Sequence, residues 1–314
     1  MYEQIARNKR RSVAYVVLFL VLWTGIGALI GWFVAALLAP SGQAPVDWVG
    51  DVIAGTVIAA ALALGFVVLA LTSGARLVLA VSGARPADPV GYLQLHNIVE
   101  ALAIGEGLPK PQVYVINDPS PNAFATGTSP KRAAVTVTTG LLQTMNREEL
   151  EGVLGHEMSH IRNLDVRLLL VVSTLIGMAG LLAGLVWRSA FYARSGSRDS
   201  QQVMAVVFLA GMLLAVVAFV VGPLIRLALS RSRESLADVS AVELTRNPAG
   251  LISALRKLEQ NDKPFAKFNH ATAAMCIDDP LQHHESWVHR LFDTHPPIAA
   301  RIATLEQIAQ GRSL

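Results

Sequence analysis

Four long, uncharged apolar runs constrain this chain more than any other feature. A bilayer crossing takes about 20 consecutive apolar residues. The first run lies between Arg11 and Asp47, with a core from about Val13 to Ala39. The second lies between Asp51 and Arg76, the third between Arg167 and Arg188, and the fourth between Asp199 and Arg226. None shows the polar face of a helix on the surface of a soluble protein, so four membrane helices in two hairpins are expected. Charged residues make up only 16% of the 314 residues, against about 25% in soluble domains. Basic residues precede the first run as in a secretory signal, but signal cores span about 7–15 residues. The run is too long for that and reads as an uncleaved helix.

The flanks orient the hairpins. Arg7, Lys9, Arg10 and Arg11 precede the first run, and the loop from Pro40 to Gly50 has no Lys or Arg. The positive-inside rule places the N-terminus in the cytoplasm, with the polar segment from Ala84 to Asp165 on the same side. The outer loop of the second hairpin carries Arg194 and Arg198. The inner flanks carry more, at Arg162, Arg167, Arg226, Arg231 and Arg233, so the orientation holds. The chain then divides into an N-terminal membrane hairpin (1–84), a first half of a catalytic domain (85–166), a second hairpin (167–230) and a second half (231–314).

Basic residues interleaved with aromatics are absent, which argues against a nucleic-acid partner. Cys276 is the single cysteine; it excludes an internal disulfide and a thiolate metal cluster.

The chemistry centres on His156-Glu157-Met158-Ser159-His160. Asn146 suits a helix N-cap, and Glu149 falls where it completes a capping box. Leu150, Val153, Leu154, Met158 and Ile161 recur at helical spacing. On that helix His156 and His160 are four residues apart and project from one side. Two imidazoles able to share a metal, with a carboxylate at Glu157 beside what the metal binds, are what a zinc peptidase needs. Composition alone yields such a pattern about 0.01 times in a chain of this make-up.

A catalytic zinc takes a third protein ligand. Asn163 and Val166 occupy the places where a His-x-x-Gly-x-x-His extension would continue. Asp165, five residues past His160, is expected to point off the ligand face of a helix running on through Arg167 into the third apolar run. The chain returns at Ser230 to Asp238, where Glu234 and Asp238 are four apart on an expected helix. One carboxylate of such a pair binds the metal while the other accepts a hydrogen bond from a ligand imidazole. Glu234 is the best third ligand available.

Gln112 to Asn117 and Ala133 to Thr138 read as strands bracketing Asn122-Ala123-Phe124-Ala125-Thr126. A small sheet results, and an exposed edge would hold an extended peptide by main-chain pairing; which strand is the edge is not legible. His270, His283, His284 and His289 fall in a polar stretch between Asn261 and Arg290 and read as surface residues, because neighbouring histidines on a helix do not converge.

These residues carry a resemblance. Lys131-Arg132-Ala133-Ala134-Val135, Thr139-Gly140-Leu141-Leu142, Arg147 to Val153, the His156–His160 motif, Asn122 to Ala125, Arg233-Glu234 with Ala237-Asp238, Asn247 to Leu251 and Thr294-His295-Pro296-Pro297 resemble the HtpX family of membrane zinc endopeptidases, in order over nearly the whole chain. The resemblance implies a mostly helical membrane protein with a cytoplasmic zincin-like α+β catalytic domain. It implies quality control of misfolded or damaged proteins in the bacterial inner membrane, often under stress. It implies one Zn2+ per chain held by His156, His160 and Glu234, with Glu157 as general base. His295 would face the substrate carbonyl, Arg301 would support the ligand glutamate, and Asn122, Ala123, Phe124 and Ala125 would meet the substrate. A zinc transporter is the competing class; the membrane runs lack the internal ionisable residues that a transport path needs.

Overall fold

The structure, a computed structural model, describes residues 2–38, 48–192, 208–209, 211–213, 222–260 and 297–310. The chain divides into two compact units. Met1–Lys9, Ser73–Leu170 and Leu224–Leu314 form one; Arg10–Thr72 and Val171–Pro223 form the other.

Within the second unit lie most of α1 (Tyr2–Leu38) and of α2 (Trp48–Val81). Among the described residues, two helices are long and apolar enough to cross a membrane: Asn8–Ala36 in α1 and the whole of α2. The third apolar run is helical, within α6 (Asp165–Tyr192). The fourth lies largely outside the described residues, as do Arg194, Arg198 and the loop 39–47.

In α1, Trp23 stacks on Phe19, with ring centroids 5.2 Å apart, and meets Phe66 of α2 edge-on at 5.7 Å. Further along, the two backbones come close: a methyl group at Gly31 would fall on the Asp51 carbonyl, and one at Gly55 on the Gly27 carbonyl. Small residues commonly permit such approach between membrane helices. Replacing Gly by Ala inside a helix ordinarily adds up to about 1 kcal/mol of stability. Gly31→Ala is expected to reverse that sign and lower the thermal melting point in detergent. Gly25→Ala, which meets nothing within 4 Å among the described residues, should leave it level or raise it. Equal melting of the two variants would remove the close approach as a determinant.

The first unit is built on a four-stranded mixed sheet in the order β1-β2-β4-β3, with β1 (Arg85–Pro86), β2 (Gln112–Ile116), β3 (Ala123–Gly127) and β4 (Ala133–Thr138). β2 and β4 run parallel, and β3 lies antiparallel to β4 at the edge. Strand alternation sends Val113, Val115, Ala125, Val135 and Val137 to one face. There they share a core with Leu150, Val153, Leu154, Met158 and Ile161 of α5 (Arg147–Arg162). Ile116, Phe124 and Ala134 face the other way, packing with Val78, Leu79 and Leu170. α3 (Leu93–Glu106), α4 (Thr139–Thr144), α8 (Pro248–Glu259) and α9 (Ile298–Ala309) complete the cover of that first face. α5 approaches α8 closely because Gly152 has no side chain; a methyl there would lie 2.9 Å from the Leu251 Cα.

α5 begins as its capping residues dictate. The Asn146 side chain accepts from the Glu149 N–H at 2.9 Å, and Glu149 Oε2 accepts from the Asn146 N–H at 2.8 Å. Its far end corrects the expectation of one helix continuing through Arg167. α5 stops at Arg162, Asn163 is its C-cap, Leu164 turns to φ 60°, and α6 starts at Asp165.

Candidate metal centre

His156 and His160 project from one side of α5, and Glu234 and Asp238 come from α7 (Gly222–Thr245). His156 Nε2 and His160 Nε2 stand 3.2 Å apart, and the Glu234 carboxylate lies 3.4 Å from the first and 3.5 Å from the second. All three residues are buried. The remaining ring nitrogens face carboxylates: His156 Nδ1 lies 2.8 Å from Asp238 Oδ1, and His160 Nδ1 lies 3.1 Å from Asp165 Oδ2. A carboxylate oxygen only accepts, so each Nδ1 carries the proton that it donates, and in the neutral imidazole each Nε2 keeps a lone pair. Three electron-donor groups therefore converge, an arrangement that a metal ion satisfies.

Charge points the same way. Glu157, Glu234, Asp238 and Asp165 are buried together, with two buried guanidiniums, Arg301 and Arg233, among the described residues around them. With neutral imidazoles, two negative charges remain to be met by protons or by a divalent cation. Burial disfavours a charge on His156, but Asp238 and Glu234 outweigh it and raise the pKa to about 9. The surroundings of His156 thus favour positive charge.

Asp165 corrects the sequence reading, which aimed it away from the ligand face. The break at Asn163-Leu164 swings it back beneath His160. Its Oδ1 also receives the Asn8 amide at 2.7 Å and lies 3.5 Å from Arg233 Nη1. The helix-ending Asn163 was the only sequence signal for that break.

Arg301, expected to support Glu234, makes a two-pronged pair with Asp238: Nε to Oδ2 at 2.9 Å and Nη2 to Oδ1 at 2.7 Å. Burial alone would raise the Asp238 carboxyl; the guanidinium overcomes this and holds it at about 2. Asp238 therefore stays ionised against His156. The charge of Glu234 also acts on Arg301.

Glu157 is buried beside the donor cluster. Burial pushes its carboxyl above the usual range, opposed in part by His156, His160 and the backbone N–H of Ala125. Ala125 lies on the edge strand β3. The Thr138 N–H bonds to the Asn122 carbonyl, so alternate residues of β3 turn their backbone toward β4, and Ala123 and Ala125 turn theirs away. The Asn122 side chain accepts from the Ala123 N–H at 2.8 Å, just before the strand. The Phe124 side chain is held in the core. His295, His270, His283, His284, His289 and Cys276 lie outside the described residues.

The family model of peptidase family M48 matches residues 91–309. A protease HtpX homolog of Lactobacillus helveticus is 42% identical over 324 residues, spanning 98% of this chain and 100% of its own. One from Streptococcus thermophilus is 40% identical over 317 residues, with 98% and 100% covered. The crystal structure of S. mikatae Ste24p is similar over 82% of this chain and 65% of that one, at a TM-score of 0.44 and 18% identity.

Proposed function

We propose, for a chain that belongs to peptidase family M48 and within it to the HtpX proteases, that the metal of this membrane-bound metalloprotease is zinc, one ion per chain, held by His156, His160 and Glu234. The observation that carries this reading is the convergence of two Nε2 lone pairs and one carboxylate, each imidazole fixed from behind by another carboxylate. Their separations of 3.2, 3.4 and 3.5 Å support a small tetrahedral ion. Bonds of about 2.0–2.1 Å place neighbouring ligand atoms about 3.3 Å apart. Magnesium and calcium favour six or more oxygens and suit two nitrogens poorly.

When bound, zinc supplies a Lewis acid for the peptide carbonyl and lowers the pKa of water toward neutrality. Glu157 takes a proton from the attacking water and delivers it to the leaving amine. Its burial brings the carboxyl closer to the pH at which both transfers occur. Asp238, backed by Arg301, and Asp165 fix the tautomers of the two histidines. His295 is assigned to the developing oxyanion. An extended substrate donates its own N–H groups to the outward carbonyls of β3 at Ala123 and Ala125, whose N–H groups are taken by Asn122 and Glu157, on a strand held by Phe124 in the core.

The substrates of this reading are misfolded or damaged membrane proteins. The chain crosses the bacterial inner membrane four times, in hairpins within 1–84 and 167–230, with the catalytic halves 85–166 and 231–314 in the cytoplasm. The basic flanks support that orientation. Cleavage of an unfolded membrane protein by the purified chain should stop with a chelator and return with zinc; cleavage that persists under chelation overturns the reading. Glu234→Gln should cut zinc content, by elemental analysis, well below the one ion expected of wild type. Unchanged content would move the third ligand elsewhere.

A further inference from the structure

We infer that Asn8 is a positioning residue of the metal centre: from the first turns of α1, its side-chain amide fixes the carboxylate that orients His160. The inference rests on His160 being a metal ligand, as proposed above.

Asn8 is fully buried, at 0% exposure, where the candidate span of α1 begins. It belongs to the same compact unit as α5. Its amide nitrogen donates to the Asn163 carbonyl at 2.9 Å and to Asp165 Oδ1 at 2.7 Å. Both partners are acceptors only, so chemistry settles which end of the amide faces them. The other oxygen of Asp165 accepts from His160 Nδ1 at 3.1 Å. A path of hydrogen bonds thus runs from Asn8 through Asp165 to His160.

The two contacts of Asn8 act on one weak point. At Asn163-Leu164 the chain leaves helical geometry, and Leu164 adopts φ 60°, a conformation that L side chains rarely take. The Asn163 carbonyl sits at the C-cap of α5, where carbonyls lack intrahelical donors; Asn8 supplies one. The same nitrogen holds Asp165 in the place that the turn gives it. Arg233 Nη1, at 3.5 Å from the same oxygen, balances the charge of Asp165 at longer range. Asn8 supplies direction.

A bland role would be that Asn8 merely satisfies a helix end. That role affects folding and leaves metal affinity alone, so the two are separable in full-length protein purified in detergent. Zinc affinity is read by competition with a chromophoric chelator, and ligand geometry by the visible bands of the cobalt-substituted protein. A residue bonded directly to a ligand histidine typically contributes 10–100-fold in affinity. Asp165→Asn is expected in that range, and Asn8→Ala, one bond further out, at about 3–10-fold with shifted cobalt bands. In the double variant Asn8→Ala/Asp165→Asn the two losses should not add, because the path is already cut. Wild-type affinity in Asn8→Ala, full additivity, or a lowered melting point with unchanged affinity each overturns the inference. Wild-type protein that takes up no zinc instead defeats the metal reading on which it rests.

Discussion

Glu157→Gln should keep its metal and lose about 10²–10⁴-fold in the rate of peptide-bond cleavage, the range that one positioned general base contributes. The variant isolates the proton because little else changes. Gln has the same shape, and its amide oxygen still accepts from the backbone N–H of Ala125, which bonds to Glu157 in the native site. What goes is a carboxylate able to take a proton. Burial raises the affinity of Glu157 for protons, with His156 and His160 pulling the other way, so the native group sits between a permanent anion and a permanent acid. The measurement is the single-turnover rate on an unfolded membrane protein, alongside metal content. Cleavage within a few-fold of wild type would assign the base to another group. Loss of metal together with activity would make Glu157 a ligand.

Arg301→Met is the second large effect, and it falls on stability and metal together. The methionine fills the space of the arginine stem but leaves Asp238 buried without its two-pronged partner. Breaking a buried ion pair by removing one member typically costs about 3–5 kcal/mol. Once the guanidinium is gone, burial governs Asp238, and its pKa climbs from about 2. A neutral Asp238 holds His156 Nδ1 less firmly, and zinc affinity should drop about 10–100-fold, as for other lost partners of ligand histidines. Thermal melting by tryptophan fluorescence and chelator competition report the two effects separately. Adding Asp238→Asn removes the stranded charge, so stability should recover in part while zinc affinity stays low. An Arg301→Met protein that melts with wild type would mean that the pair carries no net weight.

What was legible in the sequence was what depends on local spacing. The capping box of Asn146 and Glu149, the apolar stripe of α5 and the strands around residues 112–116 and 133–138 follow from periods of 3.6 and 2. The four-residue spacing of Glu234 and Asp238 placed both on one side of α7 in the same way. Asp165 was lost because its direction depends on Leu164 at φ 60°. No propensity favours that state for leucine; the buried surroundings and the Asn8 clamp hold it. Asn8 had no sequence signal at all, since its partners lie 155 and 157 residues away. The two-pronged pair of Arg301 with Asp238 depended on how α9 packs beside α7, which local spacing does not encode. The edge position of β3 needed the strand order, which spacing does not encode.

The metal donors are also unevenly distributed along the chain. His156 and His160 share one turn of α5, whereas Asp238 follows His156 by 82 residues and Arg301 by 145. A ribosome releasing the chain from its N-terminus therefore delivers two imidazoles long before the carboxylates that complete and orient them. A nascent chain made only through α6 has two of the three proposed ligands and no acceptor behind His156. Order of translation thus withholds the proposed site until α7 and α9 have been made.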